Sequence, residues 1–196
     1  KTPISARYPF VELLTGILFA AAAWRFGAQP VTLLWCGVLA TLVALAAIDW
    51  DTTLLPDSLT LPLLWVGLAS AAMGWTVPLP VALWGAMAGY LSLWSIYWLF
   101  KKATGKEGMG FGDFKLLAAL GAWLGWQAIL PIVLMASVIG AVVGITMKFT
   151  RGLREGGYVP FGPFLAGGGV VVLLAGTERV VGWIGQWAML RRCASA

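Results

Sequence analysis

The sequence GMGFGDFKLLAALGAWLGWQAILPIVLMASVIGAVVGITM, residues 108–147, decides the fold of this chain. It opens with glycines at alternate positions around one aspartate, Asp113, and it carries no charge from Leu116 to Met147. Since about 20 apolar residues span a bilayer as a helix, the uncharged part is long enough for two spans. A carboxylate at the edge of such a run is expensive to keep charged, so its presence needs a reason.

The composition indicates that the whole chain is built for lipid. Hydrophobic residues make up 60% of the sequence and charged residues only 11%, whereas soluble domains contain about 25% charged residues. Further charge-free runs cover 26–48, 58–100 and 156–177. We therefore expect an all-α fold, a polytopic integral membrane helical bundle of about seven to eight transmembrane helices.

Prolines, glycines and short connections divide these runs into separate helices. The predicted spans are 9–24, 30–49, 58–75, 81–100, 113–125, 127–148, 160–177 and 180–190. The last segment is too short to cross the bilayer by itself and is predicted to be a partial or interfacial helix. Residues 1–196 are expected to form a single membrane-embedded domain without an internal repeat.

The basic residues predict the orientation of the bundle. When alternate loops are assigned to the same side, eleven Lys and Arg residues fall on one side and two, Arg25 and Arg179, on the other. The eleven are Lys1, Arg7, Lys101, Lys102, Lys106, Lys115, Lys148, Arg151, Arg154, Arg191 and Arg192. By the positive-inside rule the first side is cytoplasmic. The net charge of +5 is then expected to face anionic lipid, and nucleic acid is not expected as a partner.

A pair of aspartates is the most economical catalytic device that the sequence offers. Histidine is absent, which excludes Ser–His and Cys–His catalysis. Asp113 begins one apolar run and Asp49 ends another, and alternating spans place both at the same membrane face. One carboxylate can take a proton from water while the other, protonated, polarises a carbonyl group. The helix dipoles would favour the ionised form of Asp113 and the protonated form of Asp49.

The glycines before Asp113 have a physical use in such a site. Gly108, Gly110 and Gly112 lack side chains at alternate positions, so the backbone there can approach an extended peptide closely. Pairing with exposed backbone is a common way to hold an extended peptide.

Simpler interpretations of the acidic residues remain open at this point. Asp113 is also a suitable helix N-cap, and Asp57 after Pro56 suits a cap even better. Asp51 is most simply a solvated loop residue. Glu12 could form a hydrogen bond within the bundle or line the site, and the first of these is the favoured interpretation. A transporter could use intramembrane aspartates to relay ions, and a non-enzymatic membrane scaffold would need neither aspartate.

Several segments in a fixed order resemble the type IV prepilin peptidases, the GxGD-type aspartic proteases of bacterial inner membranes. The first is Ile48-Asp49 followed by Leu54-Leu55-Pro56-Asp57, and the second is the segment 108–116. Pro160-Phe161-Gly162-Pro163 and the opening segment 3–12 are similar to further family segments. The resemblance covers essentially the whole chain.

This resemblance implies a membrane aspartic endopeptidase that removes the basic leader from type IV prepilins and type II secretion pseudopilins. The two catalytic aspartates of the family match Asp49 and Asp113. Residues expected to shape the site or to contact the substrate are Pro56, Asp57, Gly110 and Gly112. The implied location is the bacterial inner membrane, with the active site facing the cytoplasm and the lipid bilayer as surroundings.

The resemblance also implies cofactors that proteolysis itself does not need. The family usually methylates the new N-terminus with S-adenosylmethionine, and it usually carries an N-terminal domain with two Cys-x-x-Cys pairs that implies zinc. This chain has two cysteines, Cys36 and Cys193, without metal-type spacing, so no metal site is expected among its residues. We expect the peptidase core of a normally bifunctional enzyme.

Overall fold

A computed structural model describes residues 7–105, 108–149 and 159–184. Seven α-helices lie in these ranges, together with a 3₁₀-helix at Trp126–Ala128 and a short helix at Thr177–Ile184. The helices are α1 (Arg7–Phe26), α2 (Pro30–Thr52), α3 (Asp57–Ala72), α4 (Leu79–Thr104), α5 (Phe111–Leu124), α6 (Ile129–Phe149) and α7 (Gly162–Ala175). No strand is present in the described ranges, so the prediction of an all-α polytopic bundle is confirmed.

The helices differ in their ability to cross a membrane. Four of them, α1, α2, α4 and α6 with its 3₁₀ turn, are long and apolar enough to span a bilayer. A fifth span results if α7 and Thr177–Ile184, which are bent by 105° at Gly176, count as one. The predicted spans 58–75 and 113–125 are helices of 16 and 14 residues. The number of helices therefore agrees with the prediction, while fewer of them have the length of a full span.

The short helix α5 is the centre of the bundle. Eleven of its 14 residues are buried, and α3, α4 and α7 surround it. Its close contact with α4 depends on two glycines, since a side chain at Gly85 or Gly121 would collide with the backbone of the other helix. The Trp123 indole N–H donates to the Leu63 carbonyl oxygen at 2.8 Å and fixes α3 against the same helix.

One end of the bundle collects the acidic residues that the sequence singled out. Helices α2, α4 and α6 end there, and α1, α3, α5 and α7 begin there, as the alternation of spans predicts. We call it the carboxylate end and define it by Arg7, Asp49, Asp57, Asp113 and Gly162, each of which interacts with a residue of another helix at this end.

The described basic residues follow the predicted charge bias. Arg25 and Arg179 lie toward the opposite end, where the Arg25 guanidinium approaches Gly176. Six of the eleven basic residues on the other side fall outside the described residues, namely Lys1, Lys106, Arg151, Arg154, Arg191 and Arg192. Which membrane side the carboxylate end faces stays a prediction.

Helix α1 is the most peripheral of the long helices. Its described residues include a single buried one, Ala22, and Glu12 lies on its exposed side. Because the Glu12 side chain is exposed, it does not lie inside the bundle, and the expectation of a hydrogen bond there is wrong.

The turn after α2 is strained. Thr53 has φ 56° and ψ 27°, and it is the only non-glycine residue in the described ranges with a positive φ. Its N–H donates to the Asp49 carbonyl oxygen at 2.8 Å, which closes the helix. A β-branched residue is unfavourable in this region. The turn directs residues 54–56 back across the carboxylate end.

Replacing Thr53 with Asn should stabilise the protein, because Asn adopts the left-handed conformation more readily. We expect the free energy of unfolding of Thr53→Asn to rise by about 0.5–1 kcal/mol. The measurement is thermal unfolding of the detergent-purified protein. Gly105 provides the reciprocal control, since it has φ 70° and open space around it, so Gly105→Thr should lower the midpoint. A lower midpoint for Thr53→Asn would contradict the prediction.

Candidate active site

Asp49 lies in the last turn of α2 and is 4% exposed. Its Oδ2 accepts a hydrogen bond of 3.0 Å from the backbone N–H of Gly162, the first residue of α7. The first N–H groups of a helix have no partner inside the helix, and the helix dipole there favours an anion. The N-terminus of α7 thus compensates the unfavourable position of Asp49 at the C-terminus of α2.

Asp113 is the third residue of α5 and is 6% exposed. The N-cap of α5 is Gly110, and its backbone N–H interacts with the Asp113 carboxylate. The third position of a helix is the one from which an acidic side chain can approach the N-cap N–H, as in a capping box. The alternative that Asp113 is itself the N-cap is therefore wrong.

The two carboxyl groups form a buried pair. They are the only charged residues that are buried in the described part of the chain, and they lie close enough to interact electrostatically. Two like charges at such a distance favour a state in which one carboxyl group keeps a proton. One base and one acid are then available in the same place, which is the requirement for general acid–base catalysis.

The surroundings of the pair are closely packed, with two glycines in contact with the side chain of Leu55. A methyl group at Gly162 would lie 2.5 Å from Asp49 Oδ2 and 3.1 Å from Leu55 Cδ1. A methyl group at Gly112, next to Asp113, would lie 2.7 Å from Leu55 Cβ. Gly112 therefore has a packing role at the start of α5, and Gly162 is a site residue whose function the sequence motif alone does not reveal.

Two ion pairs tie neighbouring helices together around the site. The Lys115 ammonium lies 2.6 and 2.7 Å from the two carboxylate oxygens of Asp57 and joins α5 to α3. Arg7 pairs with Asp51 and also donates to the Ala47 carbonyl oxygen at 3.2 Å, which joins α1 to α2. The interpretation of Asp51 as a merely solvated loop residue is wrong, because it lies in the last turn of α2 and is paired.

Asp57 does not cap α3, although its position after Pro56 predicts a cap. Pro56 is the N-cap of α3, and Asp57 in the first turn makes no side-chain cap. Asp57 is directed to Lys115 instead, and sequence reasoning cannot find this partner because the two are 58 positions apart. Substrate contacts of Pro56, Asp57, Gly110 and Gly112 stay predictions.

A groove of about 720 Å³ lies between α1, α2 and α7, and its lining includes Trp50 and Asp51 from the last turn of α2. Its lining is apolar, and its charged members, Arg7 and Asp51, pair with each other. The described residues of this groove thus do not offer the free polar groups that a nucleoside such as S-adenosylmethionine needs. In the described ranges no three His, Cys, Asp or Glu residues are grouped closely enough to hold a metal ion, and Cys193 lies outside them.

Comparison with known families gives an independent result. The model of the type IV leader peptidase family matches residues 36–145, a segment that includes Asp49, Asp57 and Asp113. No solved structure was found that matches the chain.

Curated relatives are similar over nearly all of this chain. A prepilin leader peptidase/N-methyltransferase of Stutzerimonas stutzeri is 51% identical over 194 residues, which are 97% of this chain and 65% of the relative. A protein of the same name from Xanthomonas campestris pv. campestris is 51% identical over 194 residues, 96% of this chain and 66% of the relative. The protein of this name from Aeromonas hydrophila is 53% identical over 183 residues, which are 93% of this chain and 63% of the relative. The chain thus spans somewhat less than two thirds of the length of these relatives.

A methyl group at Gly162 should disturb the site, because it would collide with the Asp49 carboxylate. We expect Gly162→Ala to lower the free energy of unfolding by about 1–3 kcal/mol, the usual effect of overpacking. Thermal unfolding in detergent measures the change. Gly167→Ala, in the same helix with nothing within 4 Å of the added carbon, is the matched control and should cost nothing. Equal midpoints for the two variants would contradict this account of Gly162.

Proposed function

The chain belongs to the type IV leader peptidase family, and on this basis we propose that it is the aspartic endopeptidase core that cleaves prepilin leaders. The observation that carries the proposal is the pair of buried carboxylates, Asp49 and Asp113, within electrostatic range of each other. The family match and the names of the relatives supply the substrate class.

The proposed reaction uses the two carboxyl groups as acid and base. The ionised carboxylate takes a proton from water while the water oxygen attacks the carbon of the scissile peptide bond. The protonated carboxyl group simultaneously gives its proton to the carbonyl oxygen, which yields a neutral tetrahedral intermediate. As the carbon–nitrogen bond breaks, the proton taken from water passes to the nitrogen. The other carboxylate recovers a proton from the intermediate, so both groups return to their starting states.

Both carboxyl groups have a backbone N–H nearby, from Gly162 for Asp49 and from Gly110 for Asp113. The N–H of Gly162 opposes the dipole of α2, which by itself would favour a protonated Asp49. The dipoles alone therefore do not decide the roles. That Asp113 is the ionised partner stays a prediction, and the pair is expected to titrate as a unit.

The substrates proposed are prepilins and pseudopilins, met at the cytoplasmic face of the bacterial inner membrane. The bias of basic residues supports this orientation through the positive-inside rule. A transporter is a weaker explanation, because relay carboxylates are expected near the midplane between repeated halves. Here both lie at one end of the bundle.

N-methyltransferase activity is part of the names of the longer relatives. We propose it only for the full-length enzyme, with S-adenosylmethionine as the methyl donor that the family resemblance implies, and we derive no step of it from the residues described here. Proteolysis by the aspartate pair requires no cofactor in this proposal.

The proposal is tested by leader cleavage of a prepilin co-reconstituted with this chain in liposomes. We expect the parent protein to cleave the prepilin. Asp49→Asn and Asp113→Asn should each lower kcat by about 10²–10⁴-fold, the range typical of acid–base groups. Asp51→Asn is the matched control, since its carboxylate lies in the same turn but pairs with Arg7. Full processing by both site variants would reject the pair.

The pH dependence of cleavage gives a second test. An acid and a base that must be in opposite protonation states produce a bell-shaped profile of kcat/KM. Residual cleavage by Asp49→Asn should lose one limb of this bell, because only one carboxyl group still titrates. A profile of unchanged shape would show that Asp49 does not take part in proton transfer.

A further inference from the structure

Leu55 lies between the two elements that carry the catalytic pair. Its Cβ occupies the space beside Gly112, the residue before Asp113, and its Cδ1 occupies the space beside Gly162, whose N–H binds Asp49. Both glycines leave no room for any other group on the side that faces Leu55. One aliphatic side chain thus separates the start of α5 from the start of α7.

The backbone on both sides of Leu55 is fixed. Thr53, two residues earlier, is held in the left-handed conformation with its N–H bonded to Asp49. Pro56 follows with φ −70° as the N-cap of α3. The next residue, Asp57, is bound through both carboxylate oxygens by Lys115, which lies two positions after Asp113.

We propose that Leu55 is a positioning residue that sets the separation of Asp49 and Asp113, with the Asp57–Lys115 ion pair holding its segment in place. The proposal rests on the proposed peptidase function for its kinetic consequence, but its geometric consequence is independent of any activity. A side chain wedged between two close-packed elements transmits its size directly to their spacing, because packed interiors yield little.

The geometric test uses spin labels beside the pair. Trp50 in α2 and Phe111 in α5 are 40% and 53% exposed, so labels at these positions report on the helices that carry the pair. The native Cys36 and Cys193 are first replaced with Ala, and the labels are then attached to Trp50→Cys and Phe111→Cys. We expect one narrow distance distribution for this protein and for its Leu55→Met derivative. Leu55→Ala should shift or broaden it. Leu54→Ala, at a neighbouring side chain that is 69% exposed, is the control and should leave it unchanged.

The kinetic test uses prepilin cleavage by unlabelled variants. We expect Leu55→Ala to lower kcat by about 10–100-fold with KM nearly unchanged, since small misplacements of catalytic groups have effects of this order. Leu55→Met should restore most of the rate. A changed KM with unchanged kcat would overturn the positioning role and make Leu55 a substrate contact.

The ion pair is tested by exchange of charges. Asp57→Lys and Lys115→Asp should each broaden the spin–spin distances, and the double exchange should narrow them again. A distance distribution as broad in the double variant as in the single ones would overturn the anchoring role of the ion pair. If the parent protein cleaves no prepilin, the proposed function fails, while an unaltered distance distribution in Leu55→Ala would overturn the positioning role alone.

Discussion

The burial of two carboxyl groups at one end of a lipid-adapted bundle is the constraint on which the rest of this structure depends. An unpaired buried charge is among the most unfavourable features that a membrane protein can contain. Backbone N–H groups at helix N-termini offset this unfavourable burial, one from Gly162 near Asp49 and one from Gly110 near Asp113. These donors exist only because α7 and α5 begin at the level where α2 ends, so the site fixes the relative height of three helices.

Glycines at the contact between α4 and α5 allow the short helix α5 to lie at the centre of the bundle. Helix α5 has 14 residues, too few to cross a bilayer unaided, yet it lies at the centre, and its neighbours take over the exposure to lipid. Gly85 and Gly121 let α4 approach it to backbone contact. A central helix that does not need to reach both membrane surfaces can start at the depth that its aspartate requires.

The sequence predicts the part of this site that rests on local patterns. Asp49 and Asp113 stand out because a carboxylate next to an uncharged run is unusual, and counting spans places them at the same end. The partners of Asp51 and Asp57 could not be found in this way. Arg7 and Lys115 lie 44 and 58 positions from them, and nothing in a local pattern links residues that far apart. The predicted bounds of α3 and α5, 58–75 and 113–125, lie close to the observed Asp57–Ala72 and Phe111–Leu124. Their prediction as full spans was less accurate, because a charge-free run indicates apolar surroundings without showing whether these are lipid or protein.

The hydrogen bond from Gly162 to Asp49 also orders events in the life of the protein. The two residues are 113 positions apart, so α2 enters the membrane long before the helix that completes its carboxylate has been synthesised. Until α7 is inserted, Asp49 lacks its donor and the start of α7 is not there to meet Leu55. The pair of buried carboxyl groups thus takes its final form only when α7, which begins at Gly162, has joined α2.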